Sequence, residues 1–279
     1  MSGKLYLCAT PIGNLEDMTF RVIRILNEVD IIAAEDTRHT IKLLNHYEIK
    51  TKMTSYHEHN KYDKGPKLLQ KLLEGKNIAI VTDAGTPGIS DPGEELVKLC
   101  IENGVEVTSA PGAVAAITAL IISGMPTRRF LFEGFLPNDK KQKRFILENL
   151  KNEIRTIIIY EAPHRLKQTL QLLATTIGDR DIAITRELTK KYEEVIQTTI
   201  NKAIEKYETE VPRGEFAIII KGLNIEDVKQ QQKDSWDVYT IEEHLEIYIN
   251  KGIEKKEAIK LVSKDRGIPK REVYNLVNK

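Results

Sequence analysis

Within the first 124 residues, five short apolar runs alternate with amphipathic helical patterns, and that alternation leaves few folds open. Residues 5–9, 29–34, 53–56, 77–81 and 105–109 have strand length, and most are apolar almost throughout, as expected of strands buried on both faces of a parallel sheet. Between them Val22, Ile23 and Leu26, then Ile41, Leu43 and Leu44, recur at helical spacing. Strand and helix in alternation predict a parallel α/β sheet covered on both faces. In such a sheet the loops at the carboxyl ends of the strands hold the ligand.

The richest of these ends is residues 81–93, which contain Asp83-Ala84-Gly85-Thr86-Pro87 and Ser90-Asp91-Pro92-Gly93. A strand-to-helix turn usually needs about two to six residues. Three glycines, two prolines and two aspartates exceed that need and can bring bare backbone close to a ligand. The loop lacks the Gly-Lys-Ser/Thr ending of a P-loop. Three other strand ends are similar in kind. Thr10-Pro11-Ile12-Gly13-Asn14-Leu15 follows the first strand, and Glu35-Asp36-Thr37-Arg38-His39 follows the second, where Asp36 or Thr37 also suits a helix cap. Ala110-Pro111-Gly112-Ala113-Val114-Ala115-Ala116 follows the fifth, with residues small enough for a helix N-terminus to approach a ligand, or for tight helix-on-sheet packing. Convergence of several loops on one edge is what a pocket requires. His57-Glu58-His59 invites a metal reading, but no third ligand of the right kind lies nearby, so no metal is expected.

Beyond Gly124-Met125-Pro126 a second α/β unit opens at residues 129–134. Residues 156–160, 181–185, 195–199 and 215–221 predict further strands, the last two antiparallel. After Pro137 a helix start carries Lys140, Lys141, Lys143 and Arg144. Lysines in a first helical turn oppose the macrodipole, so the cluster is either a solvated face or a seat for an anionic partner. Residues 224–234, rich in Gln and Lys, have a linker's composition. From residue 241 three helical patterns follow with no strand, and Gly267-Ile268-Pro269 before the last gives a helix-turn-helix outline. The expected organisation is an N-terminal α/β domain over residues 1–124, a second α/β domain over 125–223 and a helical module over 235–279.

Bulk charge decides little. The 42 basic and 41 acidic residues leave a formal charge of +1, so any affinity for nucleic acid has to be local. The last 29 residues hold nine Lys or Arg against four Asp or Glu, an excess of five that suits phosphate contacts, with a docking or dimerisation module as the alternative. Cys8 and Cys100 lie in apolar contexts without CxxC spacing, which argues against a disulfide framework or a zinc site. The longest apolar run, residues 113–123, is too short to span a bilayer. A soluble, cytoplasmic protein with no membrane contact is expected.

Six motifs in order carry a resemblance: Thr10-Pro11-Ile12-Gly13-Asn14-Leu15, Ala34-Glu35-Asp36-Thr37-Arg38, the Asp83 to Gly93 pair, Phe132-Glu133-Gly134-Phe135-Leu136-Pro137, Tyr160-Glu161-Ala162-Pro163-His164-Arg165 and Arg186-Glu187-Leu188-Thr189-Lys190. Together they are similar to the ribosomal RNA small subunit methyltransferase I family, within the tetrapyrrole methylase superfamily. The resemblance spans residue 4 to about residue 222, and the terminal helices resemble that family's tail. It implies a two-domain class III methyltransferase fold with S-adenosyl-L-methionine in the cleft between domains. It also implies 2′-O-ribose methylation of a cytidine in the decoding region of small-subunit ribosomal RNA, free or in the assembled subunit, by a homodimer. Tetrapyrrole-modifying relatives share the fold, so a small-molecule methyltransferase is the alternative.

Carried onto this sequence, the superfamily's donor-binding positions are Pro11, Ala84, Gly85, Thr86 and Ile89, extended by Val114, Ala115 and Glu161. The first loop departs from the superfamily's more glycine-rich form, which leaves it free to shape the RNA side. Four groups stand unranked as the base for the acceptor hydroxyl: Asp36, Glu35, His164 and a Lys190 of depressed pKa, each at a predicted strand end. Arg38, Arg165 and Arg186 suit phosphate, since the guanidinium fork matches its geometry. Lys140, Arg144, Lys270 and Arg271 add basic RNA contacts.

Overall fold

The computed structural model describes residues 2–226, 228, 236 and 238–277. The chain forms two compact units. One runs to Glu148 and resumes over Thr156–Lys221; the other joins Asn149–Arg155 to the chain from Gly222 onward.

The first unit opens with five strands, β1 (Lys4–Cys8), β2 (Ile31–Ala34), β3 (Met53–Ser55), β4 (Ile78–Val81) and β5 (Glu106–Ala110), in the order β3-β2-β4-β1-β5. All pairings are parallel, as the apolar runs predict. Between the strands lie α1 (Phe20–Glu28), α2 (Thr37–His46), α3 (Lys61–Leu73) and α4 (Gly93–Glu102). Period-two alternation sorts the strand side chains. Cys8, Ile32, Ala34, Ala79 and Val81 pack with Val22 and Leu26 of α1 and Leu43 and Leu44 of α2, whereas Leu5, Ala33, Ile78 and Ile80 pack with Leu68 and Leu72 of α3 and Leu96 and Cys100 of α4. Neighbouring strands β1 and β4 therefore send their helices to opposite faces. That divergence opens a crevice at their carboxyl ends, the place where α/β sheets bind ligands. Both cysteines are free and buried, and burial pushes the Cys8 thiol up to about 12, so they serve as small core residues.

The second sheet comprises β6 (Phe130–Phe135), β7 (Thr156–Glu161), β8 (Asp181–Arg186), β9 (Glu194–Thr199) and β10 (Phe216–Ile220), in the order β6-β7-β10-β8-β9. β6 and β7 are parallel, β9 pairs antiparallel with β8, and β10 runs antiparallel between β7 and β8. Helix α5 (Ala115–Ile122), apolar all round, sets Ala116, Ala119 and Leu120 against Ile158, Ala183, Ala217 and Ile219 of this sheet. α6 (Lys140–Leu150), α7 (Pro163–Ile177) and α8 (Ile200–Thr209) complete the unit, with α7 against α8. Helix α8 is not among the elements expected from the sequence. Its signal was present in Ile200, Ala203 and Tyr207 behind the capping Thr199, but polar residues dilute it.

In the second unit α9 (Ile241–Asn250), α10 (Lys255–Arg266) and α11 (Lys270–Val277) pack around Leu245, Ile259, Val262 and Val273. Thr240 and Glu243 form a reciprocal capping box on α9, and Gly267 ends α10 in a left-handed conformation, giving the expected helix-turn-helix outline. Of the expected linker, residues 227 and 229–234 lie outside the described residues, as do both ends of the expected module, 235 and 278–279.

Trp236, the chain's one tryptophan, stacks on the buried His244 ring at 3.6 Å. The His244 Nδ1 accepts from Arg266 Nε at 3.2 Å, and Nε2 lies 3.4 Å from the Asp265 carboxylate. Burial, then the Arg266 charge, hold the imidazole below its usual value against the opposing pull of Asp265. The unfolded chain therefore takes the proton first. This contribution to stability is intact above the unfolded histidine value of about 6.5 and is lost as pH falls through it. The urea midpoint read by Trp236 fluorescence should be lower at pH 5 than at pH 7.5, and the difference should shrink in His244→Phe. A midpoint indifferent to pH over that range would contradict this account of His244.

Candidate functional site

The loops after β1 and β4 are bridged. Thr10 N donates to the Gly85 carbonyl at 2.8 Å, Gly85 N returns the bond at 3.1 Å, and Thr10 Oγ1 donates to the Thr82 carbonyl at 3.1 Å. Gly85 sits at φ +85°, and a Cβ there would lie 3.3 Å from Ile12 and 3.4 Å from the Ala113 carbonyl. Glycine is strongly favoured at this junction. On one side of it lies a cavity of about 540 Å³. Ala84, Gly85, Thr86 and Ile89 line it from the β4 loop, Val114 and Ala115 from the start of α5, and Glu161 from the end of β7. Seven of the eight expected donor-binding positions therefore meet in one cavity. Pro11 does not: it lines a separate cavity of about 350 Å³ with Gly13, His39, Asp83 and Lys190.

Much of the 540 Å³ cavity's wall is formed by residues not among the expected donor positions. Ile12, Phe135, Tyr160, Leu188 and Phe216 line it, and Phe135 and Phe132 pack against the Tyr160 ring at 5.5 and 5.0 Å. The alternation in β7, with Ile158 and Tyr160 on one face, could have pointed to Tyr160.

Much of the glycine, proline and aspartate in residues 81–93 builds the loop's own frame. The Asp91 carboxylate accepts from the backbone N–H of Gly88 at 2.8 Å, Ile89 at 3.0 Å and Gly93 at 2.8 Å. A Cβ on Gly93 would stand 2.7 Å from that carboxylate and 2.9 Å from Gly88 N. Thr86 Oγ1 donates to the Ala113 carbonyl at 3.0 Å and so ties this loop to the one after β5.

Glu161 borders the cavity with a fully buried side chain whose oxygens are engaged. It accepts from Thr169 Oγ1 at 2.6 Å and Ala162 N at 2.9 Å, and pairs with Arg165 Nε at 3.2 Å. The Arg165 guanidinium also donates to the Leu136 carbonyl at 2.5 Å, so this candidate phosphate ligand is committed within the protein.

The candidate bases stand in different surroundings. Asp36 caps α2 and grips Arg38 with both oxygens, at 3.1 and 2.7 Å, which holds its carboxyl well below the usual range. Glu35 accepts from Thr82 Oγ1 at 2.5 Å and Asp83 N at 3.3 Å. Beside it Asp83, not singled out in the sequence as a base, is raised by burial and then by the Glu35 charge. His164 is exposed and lines the large cavity.

Lys190 overturns the expectation of a depressed pKa. Burial lowers its value, but Glu215 at 3.0 Å and Glu187 at 3.1 Å together outweigh burial, and the net shift is upward. The turn that holds it is strained: Glu187 at φ 51° and Thr189 at φ 64° are non-glycine residues in the left-handed region, each costing on the order of 1–3 kcal/mol. Gly13 of the β1 loop docks on this turn, where a Cβ would lie 2.5 Å from Lys190 Cγ and 2.9 Å from the Leu188 carbonyl.

Among the other basic candidates, Arg38 is exposed apart from its Asp36 pair, and Arg186 pairs with Glu194 at 3.1 Å. Lys140 and Arg144 are exposed on α6, and Lys270 and Arg271 on α11 of the second unit. Among the described residues there is no group of three or more His, Cys, Asp or Glu side chains placed to hold a metal, and no helix is long and apolar enough to cross a membrane.

Residues 4–204 match the family described as Tetrapyrrole (Corrin/Porphyrin) Methylases. The chain is 55% identical to the Ribosomal RNA small subunit methyltransferase I of Bacillus subtilis (strain 168), over 98% of this chain and 93% of that protein. It is 47% identical to the protein of the same name from Synechocystis sp., with 98% and 97% covered. Among solved structures, a diphthine synthase superposes with a TM-score of 0.61 at 10% identity, covering 82% of this chain and 94% of that one. Uroporphyrin-III C-methyl transferase from Thermus thermophilus, complexed with S-adenyl homocysteine, gives 0.55 at 18% identity, covering 78% and 97%. At such identities the structures speak to fold alone, and the fold is the α/β class III methyltransferase fold followed by terminal helices. With its six motifs, two sheets and near full-length relatives, the chain belongs to the tetrapyrrole methylase family and, within it, to the ribosomal RNA small subunit methyltransferase I family.

Proposed function

We propose that this chain methylates the 2′-hydroxyl of a cytidine in the decoding region of small-subunit ribosomal RNA, with S-adenosyl-L-methionine as donor in the 540 Å³ cavity. The observation that carries the reading is the convergence of the β4, β5 and β7 ends on one largely apolar cavity whose junction favours glycine at Gly85. These residues suit the donor: small side chains at Ala84 and Ala115 leave room for a nucleoside, and Phe135, Tyr160 and Leu188 offer an apolar wall. When bound, S-adenosyl-L-methionine supplies an electrophilic methyl carried on a sulfonium.

The chain's part is alignment and exclusion of water, which in a displacement of this kind supply much of the rate. The acceptor hydroxyl has to be held within about 3–3.5 Å of the methyl carbon. Of the four candidate bases, Asp36 and Lys190 are held in ion pairs and Glu35 is engaged by Thr82 and Asp83, whereas His164 lines the donor cavity itself. His164 is therefore assigned the proton. Exposed Arg38, Lys140 and Arg144, with Arg186, Lys270 and Arg271, supply phosphate contacts from both units. Ile117 and Ile121 of α5 are exposed and offer a second copy an apolar face, which supports a homodimer; a cytoplasmic location belongs to the same proposal.

The test is incubation with labelled donor and small ribosomal subunits, free small-subunit RNA or a tetrapyrrole, followed by nucleoside analysis. Label should appear in 2′-O-methylcytidine. Label confined to the tetrapyrrole, to a base or to another nucleoside would overturn the reading.

A further inference from the structure

The cations of α6 are not alike. Lys140 and Arg144 are exposed, whereas Lys143 is 8% exposed, one turn before the buried Leu147 on the same helix face. Among the described residues its ammonium has neither a carboxylate nor a hydrogen-bond partner, and it reaches solvent while its stem is buried. A lysine whose stem is packed while its ammonium opens at the surface holds an unpaired positive charge in one place. Lys143 lines a cavity of about 820 Å³ with Lys140, Arg144, His164 and Arg165, and Glu148 is the acid in the lining. The first turn of the 15-residue helix α7 supplies His164 and Arg165 here, and no side chain caps its N-terminus. A helix start of this kind favours an anion.

We propose that this groove seats a backbone phosphate of the RNA, with Lys143 as its central cation. Phosphate would complete the pairing that Lys143 lacks, with Lys140 and Arg144 reaching in from the rim. Arg165, tied to Glu161 and to the Leu136 carbonyl, lends charge and shape without turning away from its partners. His164 lines both this groove and the donor cavity. The phosphate held here therefore belongs to a nucleotide close to the one methylated, and the groove sets the register of the strand. This assignment rests on the methyl-transfer reading above and adds the site that positions its acceptor.

Lys143→Met keeps the apolar stem and removes the charge. Its affinity for small-subunit RNA should fall about tenfold, and the slope of log affinity against log salt should flatten by about one. Donor affinity by calorimetry should match wild type, and the melting temperature should hold, since methionine keeps the packed stem and the ammonium it replaces lies at the surface. Unchanged RNA affinity and salt slope would overturn the proposal, as would a fall in melting temperature without loss of RNA affinity. Inorganic phosphate at constant ionic strength forms a second arm. If it stabilises wild type and not Lys143→Met while RNA affinity is the same for both, the groove belongs to free phosphate and the RNA assignment fails. Should Lys143→Met not fold, the exposed pair Lys140→Glu with Arg144→Glu replaces it, with weakened RNA binding expected and wild-type binding refuting. All these readouts are of binding, so a wild-type enzyme that binds RNA and methylates none would refute the methyl-transfer reading separately.

Discussion

Ala84→Trp should abolish donor binding and leave the fold untouched. Ala84 lines the 540 Å³ cavity, its side chain is exposed, and its φ is not among the positive values of this loop. An indole there enters the cavity and not the core. Calorimetry should show the affinity for S-adenosyl-L-methionine reduced by at least about 100-fold, which is roughly 3 kcal/mol. The melting temperature should move by only about 2 °C, as for a surface change of roughly 0.5 kcal/mol. Gly85→Leu is a poorer probe, since φ +85° adds about 1–2 kcal/mol of strain and the new Cβ presses on Ile12. Wild-type donor affinity in Ala84→Trp would reassign the cavity.

Glu161→Ala should be the most destabilising single change in the site. The carboxylate is fully buried and serves Thr169, the Ala162 N–H and Arg165, a guanidinium that is itself largely buried. Removing one partner of such a network costs about 3–5 kcal/mol, because the remaining charge and donors stay buried without it. In urea the midpoint should fall accordingly, and the melting temperature should drop by roughly 10 °C or more. The double variant Glu161→Ala with Arg165→Met should recover part of the loss, since the orphaned charge goes with its partner. A single-variant loss under about 1 kcal/mol would mean that water replaces the network.

What the sequence made legible is the part governed by local pattern. Apolar runs in alternation predict β1 to β5, and loops rich in small and polar residues mark the ends of β1, β4 and β5 that line the 540 Å³ cavity, though the similar loop after β2 lies away from it. The rest depends on contacts between residues far apart in the chain. Pro11 and Ile12 are neighbours that face different cavities, which no composition of the loop could separate. The raised value of Lys190 comes in part from Glu215, contributed by the segment just before β10, 25 residues on. Arg165 looked like a phosphate ligand because its guanidinium fork matches phosphate geometry, yet its spacing of four from Glu161 was the sign of an internal pair. Lys143 also left a sign, for it stands four residues before Leu147 on the apolar face of α6, where a lysine is out of place.

The hydrogen bond from Thr86 to the Ala113 carbonyl joins a loop of the first sheet to the approach of α5, and α5 is anchored on the second sheet. A molecule lying between Ala84 and Ala115 therefore touches both sheets at once. Whatever would part the sheets must first give up that molecule. If that molecule is the donor, as proposed above, linkage makes its free concentration a term in the resistance of the first unit to opening, growing as the logarithm of one plus that concentration over its dissociation constant. On the proposed reading, the level of the methyl donor thus enters the stability of the enzyme that consumes it.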